Sequence, residues 1–411
     1  MNMKGKIVND PVYGFIRFPE AEILQLIDHR WFQRLRYIRQ MGPAHLVYPG
    51  AVHTRFHHSL GAVHLMGKAL DELKAKGVVI SEQESLAARI AILLHDIGHG
   101  PFSHALEHTL VEGVTHEYLS GLIMNELNRE FDGMLDGAIR VFDQSYEKPY
   151  LHQLVSSQLD VDRMDYLNRD SFYTGVSEGV IGYDRILNML TVKNNQLMVE
   201  EKGVHSVEKF VIARRLMYWQ VYLHKTVLAA EVLLINILKR ARELARRGKE
   251  LYASPALRHF LYNNVTLQDF QSSPQHLEKF CMLDDVDILA SVKEWCRHED
   301  KILSRLCCMM QYRKLYKVIL TSDDVSILAE EKKEAAMAAF RPAPEEMDYF
   351  VCTGITSKDT YNINDERIHI AMKNGSVKDI SEIDNPVVTQ ALAMPVHKNY
   401  ICYINPVNEL F

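Results

Sequence analysis

LLHDIGHGPFSH, residues 93–104, decides the fold class because it places a His–Asp pair at the end of an apolar helix. Residues 90–94 are all apolar, so His95 and Asp96 are expected near the core, where a carboxylate beside an imidazole needs a compensating cation. A divalent metal ion satisfies both groups. An isolated His–Asp dipeptide is more often a hydrogen-bonded helix end, but His58, in HTRFHHSLG, and Asp162, in LDVDRMDYLNRD, complete a set of His, His–Asp and Asp ligands from three segments.

The donor atoms narrow the choice of metal. Imidazole nitrogen with carboxylate oxygen suits Fe, Mn, Zn, Co or Ni and is less typical of Ca²⁺ or Mg²⁺. His95 and Asp96 are about 100° apart around a helix axis, so both reach one ion only where the helix end faces a pocket. Pro101 is expected to end this helix at about His99.

Composition bounds the function class. With 411 residues and 47% hydrophobic content, the chain can bury a sizeable core, and we expect one large domain, 1–330, and a smaller lobe, 331–411. A net charge of −6 argues against extensive nucleic-acid binding. The N-terminal segment is too polar for a signal peptide and no apolar run reaches ~18 residues, which predicts a cytoplasmic protein without a membrane span. The six cysteines show no Cys-x-x-Cys spacing and are expected to be reduced thiols, mostly buried.

Apolar positions recur at helical spacing through most of the chain, which predicts a mostly α-helical core. The predicted helices cover residues 20–40, 59–75, 82–94, 116–128 and 207–247. After a linker of sequence RPAPEE, strand-like runs at 349–353, 367–372 and 400–404, with a hairpin turn at Asn374-Gly375, predict a C-terminal α+β lobe.

Several strings together resemble the HD-domain phosphohydrolases and, within them, the deoxynucleoside triphosphate (dNTP) triphosphohydrolases. Besides the His–Asp string they are IVNDPVYG (7–14), FQRLRYIRQMG (32–42), YPGAVHTRFHHSLG (48–61), LDVDRMDY (159–166), RRLMYWQVYLHK (214–225) and, more weakly, YRKLYK (312–317). The resemblance implies an HD-domain helical core and the hydrolysis of a dNTP to a deoxynucleoside and inorganic triphosphate. Two alternatives stay open: an HD phosphohydrolase acting on a nucleoside monophosphate, cyclic nucleotide or nucleic-acid end, and a nucleotide-sensing scaffold without turnover.

The resemblance also implies the roles of the metal-binding and catalytic residues. The metal ligands would be His58, His95, Asp96 and Asp162. His57 competes for the first position, and Asp160 and Asp165 are expected to be solvated or capping carboxylates. An octahedral ion would keep two positions for water and a phosphate oxygen, with Mg²⁺ as a further candidate on the substrate phosphates. His104 would protonate the departing 5′ oxygen with Glu107 orienting it, while His99 and His116 would contact phosphate oxygens or the reacting centre.

Substrate contacts follow from the same resemblance. The residues at polyphosphate positions are Arg55, Arg163, Arg214 and Lys225. Tyr222 would pack where a 2′-hydroxyl projects, Asp170 and Gln40 would bind the 3′-hydroxyl, and Tyr166 would lie beside the substrate. Independently, one stripe on the predicted helix 207–247 is formed by Arg214, Tyr218, Tyr222 and Lys225. Such a stripe is more often a solvated face, but two tyrosines flanked by basic residues fit a nucleotide-lined face better. Met41 replaces a leucine of the family, and its flexible thioether would loosen base or sugar discrimination.

A second layer of resemblance concerns regulation. Asp28, Gln33 and Arg36 match the guanine-reading effector site of the regulated triphosphohydrolases, where a carboxylate accepts both N1–H and N2–H of guanine. The positions that bridge effector nucleotides between subunits are held by Lys6, Asn9, His224, Lys225, Arg313 and Lys317. Gln220 stands where that family has a basic residue, which weakens the match. The resemblance therefore implies a GTP or dGTP effector and a homo-oligomer, either a dimer or a tetramer.

Overall fold

The computed structural model describes residues 5–103, 107–111, 113–358, 367–383 and 396–405. Over these residues the chain is mostly helical with small sheets, which confirms the predicted fold class. The α-helices are α1 (Ala21–Asp28), α2 (Arg30–Gln33), α3 (Arg55–Ala75), α4 (Glu82–Leu94), α5 (Glu107–Leu110), α6 (His116–Glu130), α7 (Asp136–Phe142), α8 (Pro149–Val155), α9 (Val161–Thr174), α10 (Tyr183–Asn188), α11 (Val204–Met217), α12 (Lys225–Arg246), α13 (Pro255–Tyr262), α14 (Leu267–Ser272), α15 (Pro274–Phe280), α16 (Asp285–Trp295), α17 (Lys301–Gln311) and α18 (Ser326–Phe340). The strands are β1 (Lys6–Asp10), β2 (Gly14–Phe18), β3 (Leu190–Lys193), β4 (Gln196–Glu200), β5 (Lys317–Thr321), β6 (Val351–Lys358), β7 (His369–Ala371), β8 (Val377–Asp379) and β9 (Val396–Tyr403).

Helix α4 carries the His–Asp string into the core. It begins with a capping box in which the Ser81 hydroxyl accepts from the Glu84 amide and the Glu84 carboxylate accepts from the Ser81 amide. Its last five residues, 90–94, are all buried, and the helix packs against α3, which in turn packs against α9. The helical periodicity predicted over 82–94 coincides with this helix. This packing brings the end of α4 next to His58 on α3 and Asp162 on α9.

Two long predicted helices are wrong because the structure breaks each of them. Segment 20–40 divides at His29, whose backbone is extended and whose ring accepts from the Trp31 amide, so a new helix begins there. Segment 207–247 divides at a π-helical turn, Tyr218–Tyr222, and His224 caps the next helix through Thr226. The two helical segments are bent by 60°, so Lys225 is not on one continuous stripe with Arg214.

The prediction that α4 continues to about His99 is also wrong. The helix ends at Leu94, and residues 95–98 form turns. The Ser120 hydroxyl donates to the His95 carbonyl and accepts from the Gly98 amide, so α6 supplies hydrogen bonds that stabilise this turn. Pro101 therefore lies beyond a helix that tertiary contacts have already ended.

Three small sheets surround the helical core. Strands β1 and β2 form an antiparallel hairpin, the second sheet has the order β3-β4-β7-β8 with β4 and β7 parallel, and the third has the antiparallel order β5-β9-β6. Strands β7 and β8 flank the predicted Asn374-Gly375 turn, where Gly375 has φ of 88°. The boundary at residue 330 stays a prediction.

All six cysteines are free thiols, and Cys281, Cys307 and Cys402 are buried. Among the described residues, no single helix combines the length and hydropathy needed to cross a membrane. Glu201–Tyr222 and Lys225–Arg246 meet that criterion only when taken together as a bent pair.

Candidate metal centre and active site

Three helices bring together the predicted ligands. His58 lies in the first turn of α3, His95 directly follows α4, and Asp162 lies in the first turn of α9. His58 Nε2 is 3.0 Å from Asp162 Oδ1 and 3.4 Å from His95 Nε2, and His95 Nε2 is 3.6 Å from Asp162 Oδ1. Atoms that share one ion at about 2.1 Å lie roughly 3–4 Å apart. The spacing of these nitrogens and this oxygen can therefore hold a metal ion.

Asp96 lies beside this group of ligands and also contacts His99. Its Oδ1 is 3.3 Å from His95 Nε2 and 3.3 Å from His99 Nε2, and its Oδ2 is 3.5 Å from His58 Nε2. The Arg55 guanidinium forms a close ion pair with the same carboxylate. Burial alone would raise the pKa of Asp96, but Arg55 and the two imidazoles hold it well below its usual range. Asp96 is thus a carboxylate at the cluster.

Both candidate histidine ligands are held by their other ring nitrogen. His58 Nδ1 is 2.7 Å from Asp165 Oδ2, and His95 Nδ1 is 2.7 Å from the Ile92 carbonyl. An Nδ1–H that donates to a carboxylate or carbonyl fixes the tautomer with the Nε2 lone pair available for a metal. Burial lowers the pKa of His58, but the adjacent Asp162 and Asp165 outweigh burial and raise it to about 10. The donor set therefore favours a cation at this position.

The structure corrects the expectation that Asp165 is solvated or capping. Asp165 is fully buried, accepts two bonds from Arg169 at 2.9 and 3.0 Å, and contacts His58. Arg169 also donates to Asp10 at 2.8 Å. This chain of ion pairs connects the candidate metal centre to β1, and neither its composition nor its connectivity was predicted.

The two remaining alternatives to the predicted ligands are Asp160 and His57. Each of them makes hydrogen bonds at the start of a helix. Asp160 caps α9 by accepting from the Arg163 amide at 2.7 Å, and it forms a close ion pair with the Arg163 guanidinium. His57 Nδ1 is 3.2 Å from the Thr54 amide at the start of α3. The expected capping role of Asp160 is confirmed.

The loop after His95 is held from three directions. Arg34 donates to the carbonyls of Ile97 and His99 at 2.7 and 3.0 Å, and Asp285 accepts from the Phe102 amide at 2.7 Å. Gly98 permits the close approach of α6, since a Cβ there would lie 2.2 Å from the His116 carbonyl oxygen. The His99 and His116 rings stack with centroids 3.8 Å apart. Burial and Arg55 hold the pKa of His99 well below its usual range.

One cavity of about 560 Å³ connects the cluster to the predicted sugar-binding side chains. Its predicted lining residues are Gln40, Met41, Arg55, Asp96, His99, His116, Asp162, Tyr166, Asp170, Tyr218 and Tyr222, and its other lining residues are Gly42, Ala44, Phe102, Ser103, Val221, Leu223, Val227, Glu231 and Thr356. The volume lies in the range that small-molecule sites occupy. The cavity is thus a candidate substrate site beside a candidate metal centre.

Asp170 organises the middle of this cavity. Its carboxylate accepts from the Tyr222 hydroxyl at 2.6 Å and lies 2.7 Å from His53 Nε2. The His53 ring stacks on Tyr173 with centroids 4.4 Å apart, so it is held firmly. The Gln40 side-chain oxygen is buried and has no hydrogen-bond partner among the described residues. Sequence reasoning missed His53, which is the first residue of the HTRFHHSLG string and has no spacing signal of its own.

Three predicted phosphate-binding cations are not among the cavity-lining residues. Arg163 is paired with Asp160, and Lys225 is exposed at the start of α12. Arg214 lies near Tyr166, where its charge opposes the burial that raises the pKa of the Tyr166 hydroxyl. His104 lies outside the described residues. Glu107 begins α5, and its side chain also lies outside the described part of the chain.

The residues predicted to bind an effector fall into two exposed groups. Lys6 Nζ is 3.4 Å from Asp28 Oδ1, and Arg36 Nε donates to Gln33 Oε1 at 2.7 Å. Asn9 lies on the adjacent strand β1, opposite Phe15. The second group lies along residues 42–48: Arg313 donates to the Leu46 carbonyl, the His224 ring contacts Tyr48, and Lys317 begins β5.

Comparison with known proteins assigns the family. Residues 55–170 match the HD domain and residues 181–252 match the HD associated region. The solved structure of a phosphohydrolase from Bacteroides thetaiotaomicron is 48% identical, with a TM-score of 0.94 over 98% of this chain and 100% of that one. The chain belongs to the HD-domain phosphohydrolases. These HD-domain hydrolases bind divalent metals, in agreement with the His/Asp cluster.

Two further proteins are similar to this HD-domain chain. The uncharacterized protein YwfO of Bacillus subtilis is 33% identical over 92% of this chain and 87% of its own length. The deoxynucleoside triphosphate triphosphohydrolase SAMHD1 homolog of Dictyostelium discoideum is 31% identical over 60% of this chain. The alignment spans 51% of the Dictyostelium protein, about half of its length.

Proposed function

We propose that this protein is a metal-dependent dNTP triphosphohydrolase, which converts a dNTP to a deoxynucleoside and inorganic triphosphate. One observation carries the proposal: a single cavity is lined both by Asp96 and Asp162 of the His/Asp cluster and by the Asp170–Tyr222 pair. When the phosphates bind at the cluster, the sugar would lie beside Asp170. The similarity to dNTP triphosphohydrolases supports the same substrate class.

The residues that would hold the metal are His58, His95, Asp96 and Asp162, and their mixed nitrogen and oxygen donors favour Fe, Mn, Zn, Co or Ni. When bound, such an ion supplies Lewis acidity and a nucleophile that is available at neutral pH. Mg²⁺ would accompany the substrate phosphates. Because His58 and His95 are already oriented through Nδ1, the chain provides a site whose ligands need little rearrangement.

The chain's own residues supply the remaining chemistry. Arg55 is the cation of the cavity wall and would neutralise charge on the phosphates, while the buried, neutral His99 would hydrogen-bond a phosphate oxygen together with His116. His104 would donate a proton to the departing 5′ oxygen, with Glu107 orienting it. The three cations outside the cavity lining would attract the phosphates from a greater distance; they are Arg163, Arg214 and Lys225.

Deoxyribose selection would rest on Tyr222 and Gln40 and on the side chains that hold Tyr222 in place. Asp170 fixes the Tyr222 hydroxyl at 2.6 Å, so the ring cannot swing away to admit a 2′-hydroxyl. Gln40 presents a buried oxygen that is available to the 3′-hydroxyl. Tyr166 and Tyr218 pack against Tyr222 with ring centroids 6.4 and 5.3 Å away. Together they would exclude ribose by volume and bind the 3′-hydroxyl by hydrogen bonding.

A guanine nucleotide, GTP or dGTP, would activate the enzyme at the exposed Lys6–Asp28 and Gln33–Arg36 pairs. These pairs combine a carboxylate, two cations and an amide within the β1 and α1–α2 region, a chemistry suited to a guanine and its phosphates. His224, Arg313 and Lys317 would complete the site from a second copy in a homo-oligomer.

A substrate panel tests the proposal. Metal-loaded protein is incubated with dNTPs, NTPs, nucleoside monophosphates and cyclic nucleotides, and the release of triphosphate, pyrophosphate and phosphate is measured. We expect triphosphate from dNTPs, and loss of both metal and activity in Asp96→Ala. Asp269→Ala, which removes a carboxylate that accepts from the Thr266 amide and does not line the cavity, serves as the control. Turnover of monophosphates or cyclic nucleotides in place of dNTPs would overturn the proposal.

A further inference from the structure

His53 connects the two residues that are expected to bind the 3′-hydroxyl of the sugar, although it does not line the cavity itself. Its ring Nε2 lies 2.7 Å from Asp170 Oδ1, and its backbone carbonyl accepts from the Gln40 amide at 3.0 Å. The His53 side chain is fully buried. His53 therefore contacts the sugar-binding residues from behind the cavity wall and does not reach the substrate.

The His53 ring has a fixed position against α9. It stacks on Tyr173 with the ring centroids 4.4 Å apart and the planes inclined by 20°. The loop that leads to His53 packs against the same residue, since a Cβ at Gly50 would lie 2.4 Å from the Tyr173 carbonyl oxygen. A side chain whose orientation is locked by packing can hold its partner in one geometry. The His53–Asp170 contact is held in this way.

The Asp170 carboxylate has a hydrogen-bond partner on each oxygen. Oδ2 accepts from the Tyr222 hydroxyl at 2.6 Å, and Oδ1 contacts His53. Because an ionised carboxylate only accepts, we assign the His53 proton to Nε2, and Nδ1 has no hydrogen-bond partner among the described residues. A carboxylate offers about four lone-pair positions, so two remain. Asp170 lines the cavity, where these lone pairs can accept from a substrate hydroxyl.

We propose that His53 is a positioning residue for sugar recognition: its Nε2–H orients Asp170 so that the carboxylate accepts from the 3′-hydroxyl of the substrate. This inference rests on the proposed function and adds a residue to its sugar specificity. Without the His53 donor, the Asp170 carboxylate keeps only its bond to Tyr222 and can rotate about it. The contribution of His53 should therefore depend on the presence of a 3′-hydroxyl in the substrate.

Substitutions of His53 test this role. His53→Phe keeps a ring that can stack on Tyr173 and removes the Nε2–H donor. His53→Asn is a second loss-of-contact variant, because its amide reaches only the position of Nδ1. His53→Gln carries its amide nitrogen as many bonds from Cα as Nε2 is, so it can restore the donor to Asp170. His152→Phe is the control, since the His152 ring contacts the Val141 carbonyl at 2.9 Å and does not line the cavity.

The assay compares a substrate that has the 3′-hydroxyl with one that lacks it. Metal-loaded protein is supplied with dTTP or 2′,3′-dideoxythymidine triphosphate (ddTTP), because thymine nucleotides avoid the proposed guanine effector site, and GTP is present at one fixed concentration. We expect kcat/KM for dTTP to fall at least about tenfold in His53→Phe and His53→Asn, while that for ddTTP changes less than about twofold. His53→Gln and His152→Phe should keep the wild-type ratio of the two values.

Nucleoside binding separates this inference from the proposed function. Thymidine and 3′-deoxythymidine, which carry no phosphate to hydrolyse, are titrated calorimetrically into metal-loaded wild type and the His53 variants. A wild-type preference for thymidine that His53→Phe and His53→Asn lose and His53→Gln keeps supports the positioning role even if no dNTP is hydrolysed, which would refute only the proposed function. Equal fold losses for dTTP and ddTTP, or no loss for either, would overturn the role of His53 alone. A wild type that binds both nucleosides equally, or neither, would overturn the inference whether or not dNTPs are hydrolysed.

Discussion

Asp165→Asn is predicted to weaken metal binding although Asp165 is not a proposed ligand. The carboxylate holds His58 Nδ1 at 2.7 Å and orients Nε2 toward Asp162. Removing a partner that orients a metal-binding histidine costs 10- to 100-fold in affinity, which corresponds to about 1.4–2.8 kcal/mol. We expect a Kd increase of that size for Mn²⁺ or Co²⁺, measured by competition with a chelator of known affinity.

The same substitution is predicted to destabilise the metal-free protein. Asp165 is one of two carboxylates on the buried Arg169, and breaking a buried ion pair costs about 3–5 kcal/mol. Because Asp10 continues to pair with Arg169, the loss should lie near the lower end of this range. A thermal unfolding scan without metal measures it as a decrease in Tm.

Asp10→Asn is the matched control for this prediction. It removes the other partner of Arg169 and leaves both the Asp10 Oδ1 cap on Val12 and the Asp165–His58 bond in place. It should lower Tm comparably and leave metal affinity near that of wild type. Wild-type metal affinity in Asp165→Asn would refute the orienting role. An equal loss of affinity in both variants would show that the effect passes through Arg169 and not through His58.

Three further outcomes are expected. Chelation should abolish activity and lower Tm. Metal at 100 times its Kd should restore about 2.7 kcal/mol of folding free energy, measured by calorimetry. A Tm that does not change with metal would contradict the site. Tyr222→Ala should raise the GTP-to-dGTP ratio of kcat/KM at least about tenfold, and an unchanged ratio would remove Tyr222 from sugar selection. Asp28→Ala should retain basal activity and lose stimulation by GTP, a coupling typically worth ~1–3 kcal/mol; a wild type that does not respond to guanine nucleotides in rate or oligomer size would refute the effector site.

Local signals explain what the sequence predicts correctly. The start of α4 follows from the Ser81–Glu84 capping box and its burial from the apolar run 90–94, all within one segment. The bend at His224 and the break at His29 carry no Pro or Gly, and in both cases a histidine ring caps the next helix. Such breaks depend on tertiary packing, which periodicity does not record.

The candidate site also has a part that the sequence predicts and a part that it does not. His95 and Asp96 are neighbours in the chain, and their pairing with His58 and Asp162 is encoded in recognisable strings. The contacts that orient the site are not encoded in this way, because a string does not record which side chains meet. Asp165 lies in the same string as Asp162, but nothing in that string shows that it contacts His58, and the contact between His53 and Asp170 is equally unmarked.

The position of bond cleavage tests the central claim most directly. The metal-loaded protein hydrolyses dGTP in water enriched in oxygen-18, and the products are followed by phosphorus-31 NMR and mass spectrometry. Attack at the α-phosphorus predicts inorganic triphosphate as the phosphorus product, with the label in its terminal phosphate and none in deoxyguanosine. Pyrophosphate or phosphate as the initial product, or label in the deoxynucleoside, would contradict the account.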